Sequence, residues 1–187
     1  MATHFQPRTI IFTDYPQFTP NLSPREIFEQ GAFGGTYWRK IYSRVTGQMY
    51  EGQWQEISSL VAMVQEDPSK QNLLDRPLTQ FNVKINKYKA KSGSALEEWE
   101  DSGWISAQDP YGWVQWYCKF YYGRRTADDV RQIDRWQKFT GPSGRFKRNL
   151  INKVLAAGAT YDDVKISPVI RQGLHQWAYC LTAQDLQ

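Results

Sequence analysis

Cysteine and histidine are nearly missing from this 187-residue chain, which carries two of each: Cys118, Cys180, His4 and His175. No Cys-x-x-Cys pair and no Cys/His cluster occurs, so neither a zinc-type metal site nor a disulfide framework is encoded, and no metal or other cofactor is expected. Both thiols should stay reduced and unbridged, as thiols do in a reducing compartment. His175 and Cys180 stand five residues apart, on different faces of a helix, so they form no local Cys–His pair. Long apolar runs are absent too, and none approaches the ~20 residues a membrane-crossing helix needs. Met1 to Tyr15 lacks the basic start and apolar run of an export leader. The expected location is the cytoplasm, or the nucleus in a eukaryotic host, without a membrane partner.

Aromatic residues are what the chain has in excess. They make up 15% of it, with eight Trp and eleven Tyr. Trp and Tyr bring a large apolar body and one polar atom that wants a partner, so they suit both a core and a ligand platform. Hydrophobic residues at 41% and charged residues at 22% exclude a disordered chain. The length suits a single domain over 1–187, with 1–20 an irregular N-terminal arm.

Four segments open with one device: Ser23-Pro24, Asp109-Pro110, Gly141-Pro142 and Ser167-Pro168 each place a cap before a proline at the first helical position. Ser23 with Glu26 and Ser94 with Glu97 have capping-box spacing, and Thr126 with Asp129 a looser form of it. Helices are expected over 24–30, 56–64, 95–101, 110–122, 127–139, 142–157 and 168–181. Strands are expected over 8–13 and 36–43 and at Phe81, Val83 and Ile85, where apolar and polar residues alternate. The reading is a helix-dominated α+β domain, with its strands in the first half and a basic, aromatic helical segment over 110–157.

The charge is localised. Between Lys119 and Lys153, ten Lys and Arg stand against three Asp, a net +7 in a chain of net +4. In the helix over 127–139, Val130, Ile133 and Trp136 or Gln137 should mark the buried face. Arg131, Arg135 and Lys138 gather on another face, with Arg124 and Arg125 just before it. Clustered bases attract polyanions, although such a run also serves as an ordinary solvated face.

Between the two basic helices lies Thr140-Gly141-Pro142-Ser143-Gly144-Arg145. Glycine lets backbone N–H groups approach a ligand, and a helix start adds unpaired donors. With Arg145, Lys147 and Arg148 in the next turn, Gly141 and Gly144 would form a phosphate cradle. A helix–Gly-x-x-Gly–helix arrangement resembles the loop with which KH domains clamp a nucleic-acid backbone. Here Lys147 stands where that pattern wants an apolar residue. Gly34-Gly35, with Arg39, makes a second glycine-rich site.

Asp109-Pro110-Tyr111-Gly112-Trp113 and Gly123-Arg124-Arg125-Thr126 resemble an uncharacterised family of small aromatic-rich proteins, over about Phe33 to Lys153. That resemblance implies no activity. Asp109 and Asp129 are the weak candidates for catalysis, since a carboxylate near Arg can bind a metal or polarise water. Three functions fit. The first is a nucleic-acid-binding protein that contacts phosphates through the basic helical segment. The second is an enzyme acting on a nucleotide or other phosphorylated small molecule. The third is a protein-interaction module with an aromatic surface.

Overall fold

The computed structural model describes residues 7–187. Met1–Gln6, and with them His4, lie outside the described residues. Seven α-helices and one two-stranded antiparallel sheet are present among the described residues, the sheet in the first half. The helix-dominated α+β reading therefore holds. In order these are α1 (Pro24–Glu29), β1 (Ile41–Ser43), β2 (Gln48–Tyr50), α2 (Ser58–Glu66), α3 (Leu96–Asp101), α4 (Trp113–Tyr121), α5 (Asp129–Thr140), α6 (Arg145–Ala156) and α7 (Pro168–Gln176). No helix among the described residues is long and apolar enough to cross a membrane.

Local chemistry explains where helices start. Ser23 caps α1 with a full capping box: its hydroxyl accepts from the Glu26 N–H, and the Glu26 carboxylate accepts from the Ser23 N–H. Ser94 does no such thing, and α3 begins after Ala95 without a side-chain cap. The two other early starts shift by three residues. Asp109 accepts the Gly112 N–H through its carbonyl in a turn, so α4 begins only at Trp113. Gly141 and Pro142 likewise belong to a turn, and α6 starts at Arg145.

Two expected strands are not strands. Residues 8–13 run without regular pairing, although Ile10 donates to the Pro20 carbonyl at 2.8 Å. Phe81 follows one short 3-10 turn, and Val83 and Ile85 lie in the next, because the Asn82 side chain accepts from the Lys84 N–H and bends the chain there. The strand expected over 36–43 shrinks to its last three residues, paired Ile41↔Tyr50 to Ser43↔Gln48.

The aromatic excess builds the core. Trp38, Trp116, Trp136, Tyr117, Phe18, Phe28 and Phe120 are fully buried. Phe18, from the irregular arm, sits edge-on to Trp136 at 5.1 Å and to Tyr117 at 5.9 Å. Truncating such a ring to alanine typically costs about 3–5 kcal/mol. The polar tips tie elements together: Trp113 Nε1 donates to the Gln132 carbonyl, Tyr117 to the Leu22 carbonyl, and Trp136 to the Trp177 carbonyl. Each bond satisfies a group whose burial would otherwise be costly. Trp113, Trp116 and Ile133 are buried as expected, whereas Val130 is 67% exposed. The buried stripe of α5 instead runs through Asp129, Gln132, Ile133, Trp136 and Thr140.

A second, smaller core joins α6 to α7 through Leu150, Val154, Leu174 and Leu181. Cys118 and Cys180 are both free and buried. Cys180 follows α7 in irregular chain rather than lying within a helix. Its N–H donates to Asn21 Oδ1 and its carbonyl accepts from Asn21 Nδ2, both at 2.8 Å. His175 is fully buried, its Nε2 2.9 Å from the Ile27 carbonyl, and burial pushes its pKa down to about 3. It is a neutral core residue.

Candidate functional site

The structure sorts the basic segment into bases that are already partnered and bases that are not. Arg124 donates twice to Asp109, at 2.7 and 2.5 Å, and Asp109 is fully buried. This is a forked pair between the start of α4 and the chain leaving it, and it accounts for both residues. Arg125 donates to Asp14 at 2.6 Å and to the Phe120 carbonyl, and lies 3.8 Å over the Phe120 ring. Asp129, the other carboxylate candidate, is buried and accepts from Trp116 Nε1 at 2.8 Å and from the Thr126 N–H and hydroxyl.

Two bases of α5 find acids within the helix or at the residue before it. Arg131 donates to Asp128 at 2.5 and 2.9 Å, and Lys138 meets Asp134 at 2.6 Å. Arg135 has no ion pair among the described residues. It donates to Gln132 Oε1 and the Trp104 carbonyl, and it lies 5.4 Å from the ring centres of both Trp104 and Trp177. Burial pushes its pKa down to about 10, so the stacked guanidinium is part of the packing. Lys119, further back, meets Glu56 at 2.9 Å.

The glycines of the α5–α6 turn are packed inward. The Gly141 N–H donates to the Trp136 and Gln137 carbonyls, and the Gly144 N–H to the Gly141 carbonyl. A Cβ at Gly141 would press on Gln137, and one at Gly144 on the Phe139 and Thr140 backbone. Both glycines are explained by this tight turn, and their N–H groups are already used. Lys147 turns back as well: it meets Asp185 at 2.5 Å and donates to the Tyr179 hydroxyl at 2.8 Å, with both charged side chains about nine-tenths buried. Tyr179 in turn donates to the same carboxylate.

What remains open lies on the outer face of α6. Ser143, Arg145, Arg148, Asn149, Asn152, Lys153 and Ala156 line one shallow concavity along that helix. The side chains of Arg148, Asn149, Asn152 and Lys153 make no hydrogen bond or ion pair among the described residues, and Arg145 only leans over the Phe146 ring at 5.8 Å. Positions 145, 148, 149 and 152 share a helix face by their spacing. No acid interrupts it, because α6 contains no Asp or Glu at all. Asn149, Asn152, Ser143 and Lys153 were not among the site residues expected from the sequence. The signal was nonetheless there, in four bases within twelve residues and no carboxylate to neutralise them.

The second glycine site is enclosed. The Gly34 N–H donates to Asn86 Oδ1 at 2.7 Å, the Gly34 carbonyl accepts from the Asn82 N–H, and the Gly35 carbonyl from the Arg76 N–H. At φ of 60° and 80° these glycines hold a backbone shape that side chains strain, and a Cβ on Gly34 would collide with Phe81. Arg39 is half-buried, donates to the Thr36 carbonyl at 3.1 Å, and lines a groove of about 680 Å³ with Arg44, Asp75, Leu96 and Glu97. That groove and the α6 concavity share no residue. Comparison with protein-family models, with curated proteins and with solved structures finds no match for this chain.

Proposed function

We propose that this protein binds nucleic acid by its phosphates, and that the contact is the outer face of α6. One observation carries the reading: Arg145, Arg148 and Lys153 form an exposed, carboxylate-free stripe, whereas the neighbouring bases are mostly paired within the molecule. An unpaired surface base exchanges small counterions for phosphates and gains from their release. A base already facing a carboxylate must first give up that partner, and any phosphate it meets still lies beside the acid. Arg124, Arg125, Arg131 and Lys147 are therefore left to the architecture, and Arg135 to its packing against Trp104 and Trp177. The enzyme reading finds less support, since Asp109 and Asp129 are buried, fully engaged and line neither groove.

Fluorescence anisotropy with labelled oligonucleotides at two salt concentrations tests this. Affinity should fall steeply with salt. Replacing Arg145 and Arg148 with Ala should weaken binding by about 1 kcal/mol or more and flatten the salt slope by about one unit per lost contact. Arg131→Ala and Lys138→Ala on α5, and Lys70→Ala or Lys165→Ala elsewhere, should do much less. Absence of binding at low salt to single and double strands alike would overturn the proposal.

A further inference from the structure

Resting on that reading, we infer that the ligand is duplex DNA and that α6 is its recognition helix, seated in the major groove with Asn149 and Asn152 on base edges. The architecture is the first argument. Two twelve-residue helices, α5 and α6, are joined through the four residues Gly141–Gly144. Two helices joined by a short glycine-containing turn have the chain order of the helix-turn-helix unit, whose second helix enters the groove while the first crosses the backbone. Here the second helix is the one with the open polar face.

The chemistry of that face is the second argument. A helix that only holds phosphates needs cations. This one places two neutral amides, Asn149 and Asn152, in the middle of its basic stripe, with no partner among the described residues. A carboxamide offers one acceptor and donors side by side, the pattern that matches N7 and N6 of adenine, and Arg148 beside them matches O6 and N7 of guanine. Arg145 and Lys153 stand at the two ends. Eight residues of helix separate them, a rise of about 12 Å, comparable to the ~12 Å width of the major groove. Each end can then reach the phosphates of a different strand.

The same face disfavours the other nucleic acids. Binding of single strands draws on exposed aromatic platforms, and none lines this concavity. On α4 the rings of Trp113, Trp116, Tyr117 and Phe120 are buried, and Tyr121 is partly buried away from α6's concavity. A-form RNA has a deep, narrow major groove that does not admit the helix. Reading also requires a fixed helix, and α6 is fixed from behind by Leu150 and Val154 against Leu174, and by the Lys147–Asp185–Tyr179 cluster.

The full chain should be used to select binders from a randomised duplex library, followed by anisotropy on the selected duplex, a scrambled duplex, its single strand and an RNA duplex of the same sequence. A short enriched motif is expected, with the DNA duplex bound tightest. Asn149→Ala and Asn152→Ala should each lower the preference for selected over scrambled duplex by about tenfold, with the salt slope unchanged. Arg145→Ala with Lys153→Ala should weaken both duplexes alike and flatten the salt slope. With the unaltered protein, 7-deaza purines at the selected positions should reproduce the loss. If no motif emerges, or if single strands or RNA bind as tightly, the recognition helix is overturned while phosphate binding stands. If nothing binds, both readings fall.

Discussion

Helices α5 and α6 are the same length, adjacent in the chain and rich in bases, yet they present opposite surfaces. In α5 and the residue before it, three acids stand beside three bases at helical spacing, and two of those bases are held by them. In α6 four bases stand with no acid, and the single paired one, Lys147, reaches a carboxylate near residue 185. The net charge of a segment is therefore a poor guide to its surface. What decides is whether each base has an acid three or four residues away, or one delivered by a distant part of the fold.

The sharpest way to break this comparison is to remove one base of each kind. Arg124→Ala leaves the Asp109 carboxylate buried without its partner and should cost about 3 kcal/mol or more, read by urea unfolding. Arg148→Ala should stay within about 0.5 kcal/mol of the parent. Equal costs would mean that Arg148 has a structural role and that the division is false.

Next in size is the exception on α6. Burial alone would raise the Asp185 pKa, but hydrogen bonds from Lys147, the Thr182 N–H and Tyr179 hold it below the ordinary value of 3.8. A carboxyl depressed in the folded state stabilises fully above the unfolded pKa, and that stabilisation is lost as pH falls through the folded one. Asp185→Asn should cost about 2 kcal/mol at neutral pH. Its unfolding free energy should then converge on that of the parent as the pH drops below 4. A constant gap down to pH 2 would show that the ion pair contributes nothing.

The smallest change grafts the chemistry of α5 onto α6. Asn149→Glu places an acid four residues from both Arg145 and Lys153. It should leave stability within about 0.5 kcal/mol while weakening nucleic-acid binding by about 1 kcal/mol or more. Unchanged affinity at low salt would remove α6 from the interface.

Helices and their order were legible because proline, glycine and apolar spacing act within a few residues. Val130 was misplaced because the inner face of α5 takes in two buried polar residues, Asp129, bonded to Trp116, and Gln132, in its place beside Ile133 and Trp136. The alternation at Phe81, Val83 and Ile85 looked like a strand because the Asn82 turn is a weaker local signal than alternation, and the partners of Asn82 and Lys87, Gly34 and Gly31, lie far off in sequence. The basic segment was legible as a count of charges. Its division was not, since Asp14, Glu56 and Asp185, which partner three of its bases, lie far off in sequence.

The Asn21–Cys180 pairing bears on how the protein comes into being. Asn21 waits for a residue 159 positions further along, which at roughly 5–20 residues per second of synthesis is a delay of about 8–30 s. Until then the segment entering α1 has neither its amide partners nor the Ala178 carbonyl that accepts the Asn21 and Leu22 N–H groups. Helices such as α5 and α6 can form as they emerge, from contacts close in sequence. The N-terminal segment completes these backbone contacts only once residue 180 has emerged from the ribosome, so they are a late step with a large loop to close.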